Sequence, residues 1–234
     1  MEQTAEKVRR KRLAAFDFDS TLIEEESIDE IARLAGKDVY RRIAAVTKEV
    51  NEGRLGIREG MEKRAKLLKG VREYDIRHMA RRLRFKAGFT ELVKGLENRG
   101  YTLAIISGGF GIVFDELKKD AIELLSFSDI LCNELGVRHG ALDGTCEMKV
   151  WEEKGKLLAE IAAKHGVRME DTVAVGDGAL DRTMLEAAGF GVCLAGNPVA
   201  EAAADVVVQG NDLMGVLEAV LAWDKRDLEA ALTG

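Results

Sequence analysis

The stretch Leu13-Ala14-Ala15-Phe16-Asp17-Phe18-Asp19-Ser20-Thr21 decides the fold. A short apolar run bounded by polar residues reads as a strand buried on both faces, the kind found in parallel sheets covered by helices. The run begins after the charged Arg9-Arg10-Lys11-Arg12, and its apolar character stops at Asp19-Ser20-Thr21. Asp17 and Asp19 therefore lie where the strand ends. Residues i and i+2 of an extended segment point the same way, so the two carboxylates face one side together.

Downstream, Ser27-Ile28-Asp29-Glu30 has the pattern of a capping box, which predicts a helix starting at Ser27. From residue 38 to about 84 the pattern stays helical, with glycine as its main punctuation. After Gly88 helix and strand patterns alternate. Helices are expected over 90–99, 111–125, 154–165, 181–188 and 213–223, and strands over 101–106, 131–137, 141–148, 172–175, 191–194 and 206–208. Pro198 suits the first turn of a further helix. The reading is an α/β fold: a doubly wound parallel sheet with a small helical domain inserted after the first strand. The core comprises 12–25 and 88–223, the helical cap 26–87, and flexible ends 1–11 and 224–234. Ligands of such sheets bind at the carboxyl ends of the strands.

Those ends carry the chemistry. The first offers Asp17 and Asp19, the second Ser107-Gly108-Gly109, and a later one Gly176-Asp177-Gly178 followed by Asp181. Several carboxylates in one crevice repel one another unless a hard cation sits among them, and oxygen ligands select Mg2+. Ser107 and the two glycines offer a hydroxyl and closely approaching amides, an anion nest. Taken singly, an Asp at a strand end is an ordinary turn former and Gly-Asp-Gly an ordinary turn. Together, in this order, they describe a phosphate-processing centre.

Composition narrows the class. The 234 residues are 47% hydrophobic and 32% charged, with net charge −6. No apolar run approaches the ~20 residues of a membrane helix, and no secretory signal pattern is visible, so the expected location is cytoplasmic. Residues 27–86 hold 17 Lys and Arg against 9 Asp and Glu, whereas 88–234 hold 13 against 25. Few aromatics interleave with the basic segment, so no nucleic-acid partner is indicated. The basic segment reads as solvated helix faces, one or two of whose cations draw a small anion toward an acidic site. Cys132, Cys146 and Cys193 have no metal spacing and read as buried thiols, with a Cys132–Cys146 bridge the less favoured reading. His78, His139 and His165 lie away from the motifs, and Trp151 and Trp223 read as packing residues.

The motifs resemble those of the haloacid dehalogenase superfamily, and within it the phosphoserine phosphatase group, over roughly residues 12–222. Asp17-Phe18-Asp19-Ser20-Thr21-Leu22 is similar to the first motif and Ser107-Gly108-Gly109-Phe110 to the second. Lys154 falls at the third, with Lys149 and Lys156 as rivals, and Gly176-Asp177-Gly178-Ala179 opens the fourth. Glu26-Ser27-Ile28-Asp29-Glu30 narrows the group. The resemblance implies a Rossmann-like core and a Mg2+-dependent phosphomonoester hydrolase with Asp17 as nucleophile and Asp19 as acid and base. Asp17, the Asp19 carbonyl, Asp177 and Asp181 would hold the metal. Ser107, Gly108, Gly109 and Lys154 would hold the phosphate, and Glu26 and Arg64 the ammonium and carboxylate of phosphoserine, in a monomer or homodimer.

One position departs from the group. Leu180 stands where its fourth motif carries Asn, and a Leu side chain neither donates nor accepts a hydrogen bond. The expectation therefore includes a low-activity homologue, or a phosphatase or phosphotransferase for another small phosphorylated metabolite. A phospho-accepting receiver switch would also place an Asp at a strand end. Asp19 and the inserted helices argue against that reading.

Overall fold

The structure, a computed structural model, describes residues 10–151, 153–194 and 196–233. In chain order the elements are β1 (Arg12–Phe16), α1 (Ser27–Leu34), α2 (Lys37–Asn51), α3 (Ile57–Leu67), α4 (Glu73–Ala80), α5 (Phe89–Glu97), β2 (Tyr101–Phe110) and α6 (Gly111–Leu117). There follow β3 (Phe127–Arg138), β4 (Ala141–Glu147), α7 (Lys154–His165), β5 (Thr172–Gly176), α8 (Arg182–Ala187), β6 (Phe190–Leu194), α9 (Pro198–Ala203), β7 (Val206–Val208) and α10 (Met214–Thr233).

These strands form one sheet in the order β4-β3-β2-β1-β5-β6-β7, parallel except for β4. Every residue of β1, β5 and β6 is buried. That burial explains why the founding run lacks alternation: Ala14 and Phe16 pack on one face with α5, α6 and α10, and Leu13 and Ala15 on the other with α7 and α8. Burying each large side chain contributes about 1.5–3 kcal/mol. The chain reverses its winding between β1's neighbours β2 and β5, the crevice where doubly wound sheets bind ligands.

Helices α1–α4 leave the sheet after β1 and return before α5. The two crossing segments pair: Glu24 N donates to Arg84 O at 2.9 Å, and Lys86 N to Leu22 O at 2.9 Å. Phe85 stacks on Phe89 with centroids 4.1 Å apart. The turn between α3 and α4 is held by the β3–β4 hairpin, where Gly70 N donates to Leu142 O and Leu142 N to Val71 O. The buried Glu116 of α6 accepts from Arg81, just past α4, at 2.6 Å, and Lys119 and Arg81 pull its carboxyl down to about 2.

Several boundaries differ from the sequence reading. The capping box at Ser27 does not form. Glu26 is the N-cap without a side-chain cap bond, its carboxylate accepting from Ser20, and Ser27 donates both its N–H and its hydroxyl to Asp19. Ser107-Gly108-Gly109 lies inside β2 as an irregularity of its pairing with β3, since the backbone stays extended to Phe110. Helix α6 ends at Leu117 and a 3-10 turn follows at Ile122–Ser126. Helix α10 continues past Trp223 to Thr233, where the tail was expected to be flexible. At the other end Lys11 Nζ donates to His165 O at 3.1 Å, and residues 1–9 lie outside the described residues, as does Gly234. The three cysteines are free thiols pushed up to about 12, 11 and 11 by burial.

Candidate active site

Because β2, β1 and β5 are neighbours in one direction, their carboxyl ends meet at one edge. A cavity of about 520 Å³ opens there, lined by Asp17, Asp19, Gly108, Gly109, Lys154, Asp177 and Asp181 from below and by Glu26, Met61 and Arg64 from the inserted helices. Asp17 is fixed by its backbone, whose N–H donates to Val175 O at 2.9 Å as the β1–β5 ladder ends.

Lys154, the first residue of α7 and 1% exposed, donates from Nζ to Asp17 Oδ1 at 2.8 Å and Asp181 Oδ1 at 2.6 Å. Of the three lysines weighed on sequence, it is the one that reaches the carboxylates. Lys149 pairs with Glu134 at 3.5 Å, and Lys156 with Glu153. Asp181 Oδ2 accepts from the N–H groups of Asp177 and Gly178, which folds the Gly-Asp-Gly turn back on itself. Gly176 has to be glycine, because a Cβ there would lie 2.5 Å from Asp181 Cγ.

One ligand oxygen from each of Asp17, Asp177 and Asp181 lies within 4.8 Å of the others. Burial raises Asp17 well above the usual carboxylate range. Asp181 adds to the rise, and Lys154 opposes it without cancelling it. Asp177 is also raised by burial, against the hydroxyl of Thr21, which donates to its Oδ1 at 2.6 Å. Burial alone would lower Lys154, but Asp17 and Asp181 outweigh it and hold the ammonium charged. Burial pushes Asp19 up to about 6, while the two Ser27 hydrogen bonds, 3.0 and 2.9 Å, pull the other way. The cluster thus carries more negative charge than its lysine balances. All three carboxylates are hard oxygen donors of the kind that a small divalent cation takes.

Ser107 is fully buried and stands behind the cavity wall, where its Oγ accepts from Gly109 N at 2.9 Å. Gly108 is open to the cavity, with no atom within 4 Å of where a Cβ would stand. At Gly109 a Cβ would be 2.8 Å from Asp19 Oδ2, so no side chain fits. The buried Asn133 of β3 clamps this loop. Its Nδ2 donates to Gly108 O at 2.9 Å, and its Oδ1 accepts from Lys149 N and Val150 N.

Glu26 and Arg64 face the same cavity from the other side. Enclosure by the cavity walls, with Asp19 adding to it, pushes the Glu26 carboxyl up to about 7. Ser20, at a left-handed φ of 55°, donates to Glu26 Oε1 at 2.6 Å. Burial lowers Arg64, which Glu26 and Asp29 counter. Sequence reasoning missed Ser20, Thr21, Ser27 and Asn133. The three hydroxyls lie within quoted motifs, but Ser20 and Thr21 were read only as the end of the strand and Ser27 as a helix cap. A lone Asn within a strand gives no local signal. Leu180 lines the cavity too, as does Trp151, whose indole lies 4.7 Å beneath the Arg58 guanidinium of α3.

The haloacid dehalogenase-like hydrolase family model matches residues 14–186. The phosphoserine phosphatase of Methanocaldococcus jannaschii is 39% identical over 212 residues, covering 90% of this chain and 98% of that protein. The phosphoserine phosphatase of Archaeoglobus fulgidus is 38% identical over 210 residues, 89% of this chain and 59% of that longer protein. The solved phospho-aspartyl intermediate analogue of a phosphoserine phosphatase is 38% identical with a TM-score of 0.81, covering 90% of this chain and 99% of that one.

Proposed function

This chain belongs to the haloacid dehalogenase-like hydrolase family, and from that premise we propose that it hydrolyses phosphoserine to serine and phosphate through an aspartyl-phosphate at Asp17. The observation that carries the proposal is the two-ended cavity. A carboxylate and lysine cluster beside the open Gly108 faces Glu26 and Arg64, an anion and a cation matched to an amino acid's ammonium and carboxylate. Residues 12–25 and 88–223 act as the catalytic core and 26–87 as its cap.

Lys154 engages Asp17 Oδ1, which leaves Oδ2 to attack phosphorus in line. The bond from phosphorus to the seryl oxygen breaks as the Asp19 carboxyl gives its proton to that oxygen. Its raised position near neutrality suits a group that must both give and take a proton. Asp19 then removes a proton from water, whose oxygen attacks phosphorus and frees the Asp17 carboxylate and phosphate. The Gly108 amide and Lys154, with Ser107 holding the Gly109 amide behind them, offset charge on the transferred group. Mg2+ fits the donor set of Asp17, Asp177 and Asp181 together with the Asp19 carbonyl. When bound it supplies positive charge to the phosphoryl oxygens.

Leu180 favours one variant of this reading, a slower enzyme or one for another small phosphate ester. Phosphate release measured with Mg2+ over a panel of phosphomonoesters separates them. Phosphoserine is expected to be turned over fastest, and a flat response to it would sink the assignment.

A further inference from the structure

We propose that Asn197 supplies the phosphate end of the cavity with the carboxamide donor that Leu180 cannot, which makes it a further phosphate-binding residue; this rests on the phosphatase reading above. Leu180 and Asn197 line the same cavity, together with Asp177, Gly178 and Asp181. Helix α9, which Asn197 caps, packs on the short turn Ala179–Asp181, so the two side chains come from adjoining turns. Both belong to the carboxylate-bearing edge of the sheet rather than to the inserted helices.

The orientation of the amide is fixed by its own capping bond. Asn197 Oδ1 accepts from Val199 N at 2.9 Å, so this oxygen is used and the group offered outward is the NH2. Among the described residues Nδ2 has no protein acceptor, and the side chain is half-buried, within reach of a ligand. Its backbone is held as well. Asn197 O accepts from Glu201 N at 2.9 Å, and Gly196 N donates to Glu201 Oε1 at 3.0 Å. A pre-positioned neutral donor beside an acidic cluster suits a phosphoryl oxygen, because it binds an anion without adding charge that would compete with the cation site.

The capping role permits a clean test. Ser and Asp both cap helices about as well as Asn, but neither carries the NH2. Asn197→Ser and Asn197→Asp are expected to keep the wild-type Tm. Asn197→Ser should weaken inhibition by inorganic phosphate and lower kcat/KM about tenfold, the usual loss for one donor to a charged group. Asn197→Asp should lose more, by repulsion. The loss should be equal for phosphoserine and for phosphoethanolamine, which lacks the carboxylate. Leu180→Asn should restore activity to Asn197→Ser while changing the wild type little. Wild-type phosphate inhibition and kcat/KM in both Asn197 variants would overturn the proposal. If the wild type hydrolysed no phosphomonoester, the functional reading would fail instead. Calorimetric binding of inorganic phosphate with Mg2+ to wild type and Asn197→Ser would then still judge the donor.

Discussion

Strands β1 and β2 carry a buried charge cluster at each end, and the two are opposites. Where the strands begin, Arg12 pairs with Asp224 of α10, and Tyr101 donates to Asp224 Oδ1 at 2.6 Å. The guanidinium lies 5.8 Å from the rings of both Tyr101 and Trp223. Among the described residues Arg12 meets Asp224, and burial with the Asp224 bond keeps the Tyr101 phenol protonated. Where the strands end, the Lys154 ammonium meets Asp17 and Asp181, with Asp177 beside them. The first cluster pairs opposite charges and fastens α10 to the sheet. The second holds like charges together, a cost that folding alone gives no reason to bear and that ligand binding relieves.

The largest break in this comparison is Asp17→Asn. Loss of the nucleophile is expected to cut kcat by about 10⁴-fold or more, while the Tm without divalent cation rises by a few degrees because one excess charge is gone. Asp224→Ala should do the reverse. Breaking a buried pair costs about 3–5 kcal/mol in urea unfolding, with unchanged activity per folded molecule. Next in size is the response to Mg2+. At 100 times its Kd the ion should stabilise the wild type by about 2.7 kcal/mol. Asp177→Asn should lose this response and Asp224→Ala should keep it.

The smallest effect concerns Glu26, whose carboxyl sits at about 7. A raised acid is neutral below its pKa, so ammonium recognition weakens as pH falls through 7. The KM for phosphoserine divided by that for 3-phosphooxypropanoate, the same ester without its amino group, should rise toward tenfold per pH unit below that point. Titration of the phosphate itself cancels in the ratio. A flat ratio would remove Glu26 from ammonium recognition.

The sequence made the acidic end of the strands legible because phosphate chemistry there uses residues clustered in short motifs. Asp17 and Asp19 are two apart, and Asp177 and Asp181 four, so each pair announces itself locally. The opposite end was invisible. Arg12, Tyr101 and Asp224 are scattered over more than 200 positions, and each is an unremarkable charged or aromatic residue until the sheet closes. The same reason hid Asn133, whose three partners come from β2 and from the segment after β4. Ser27 was misread because the helix starts one residue earlier than a Ser27 cap implies, which puts Ser27 in the first turn. Its N–H and hydroxyl are both donated to Asp19, a contact only tertiary structure shows.

The two tryptophans divide between these regions. Trp151 lies beneath Arg58 at the mouth of the cavity, and Trp223 stacks on Phe190 at 5.3 Å beside Arg12. The chain therefore carries its own pair of fluorophores, one at each end of its central strand. With Trp223→Phe, emission reports how α3 seats over a bound phosphate ester; with Trp151→Phe, it reports the docking of α10. Ligand occupancy and unfolding become separable optical signals in one unlabelled molecule.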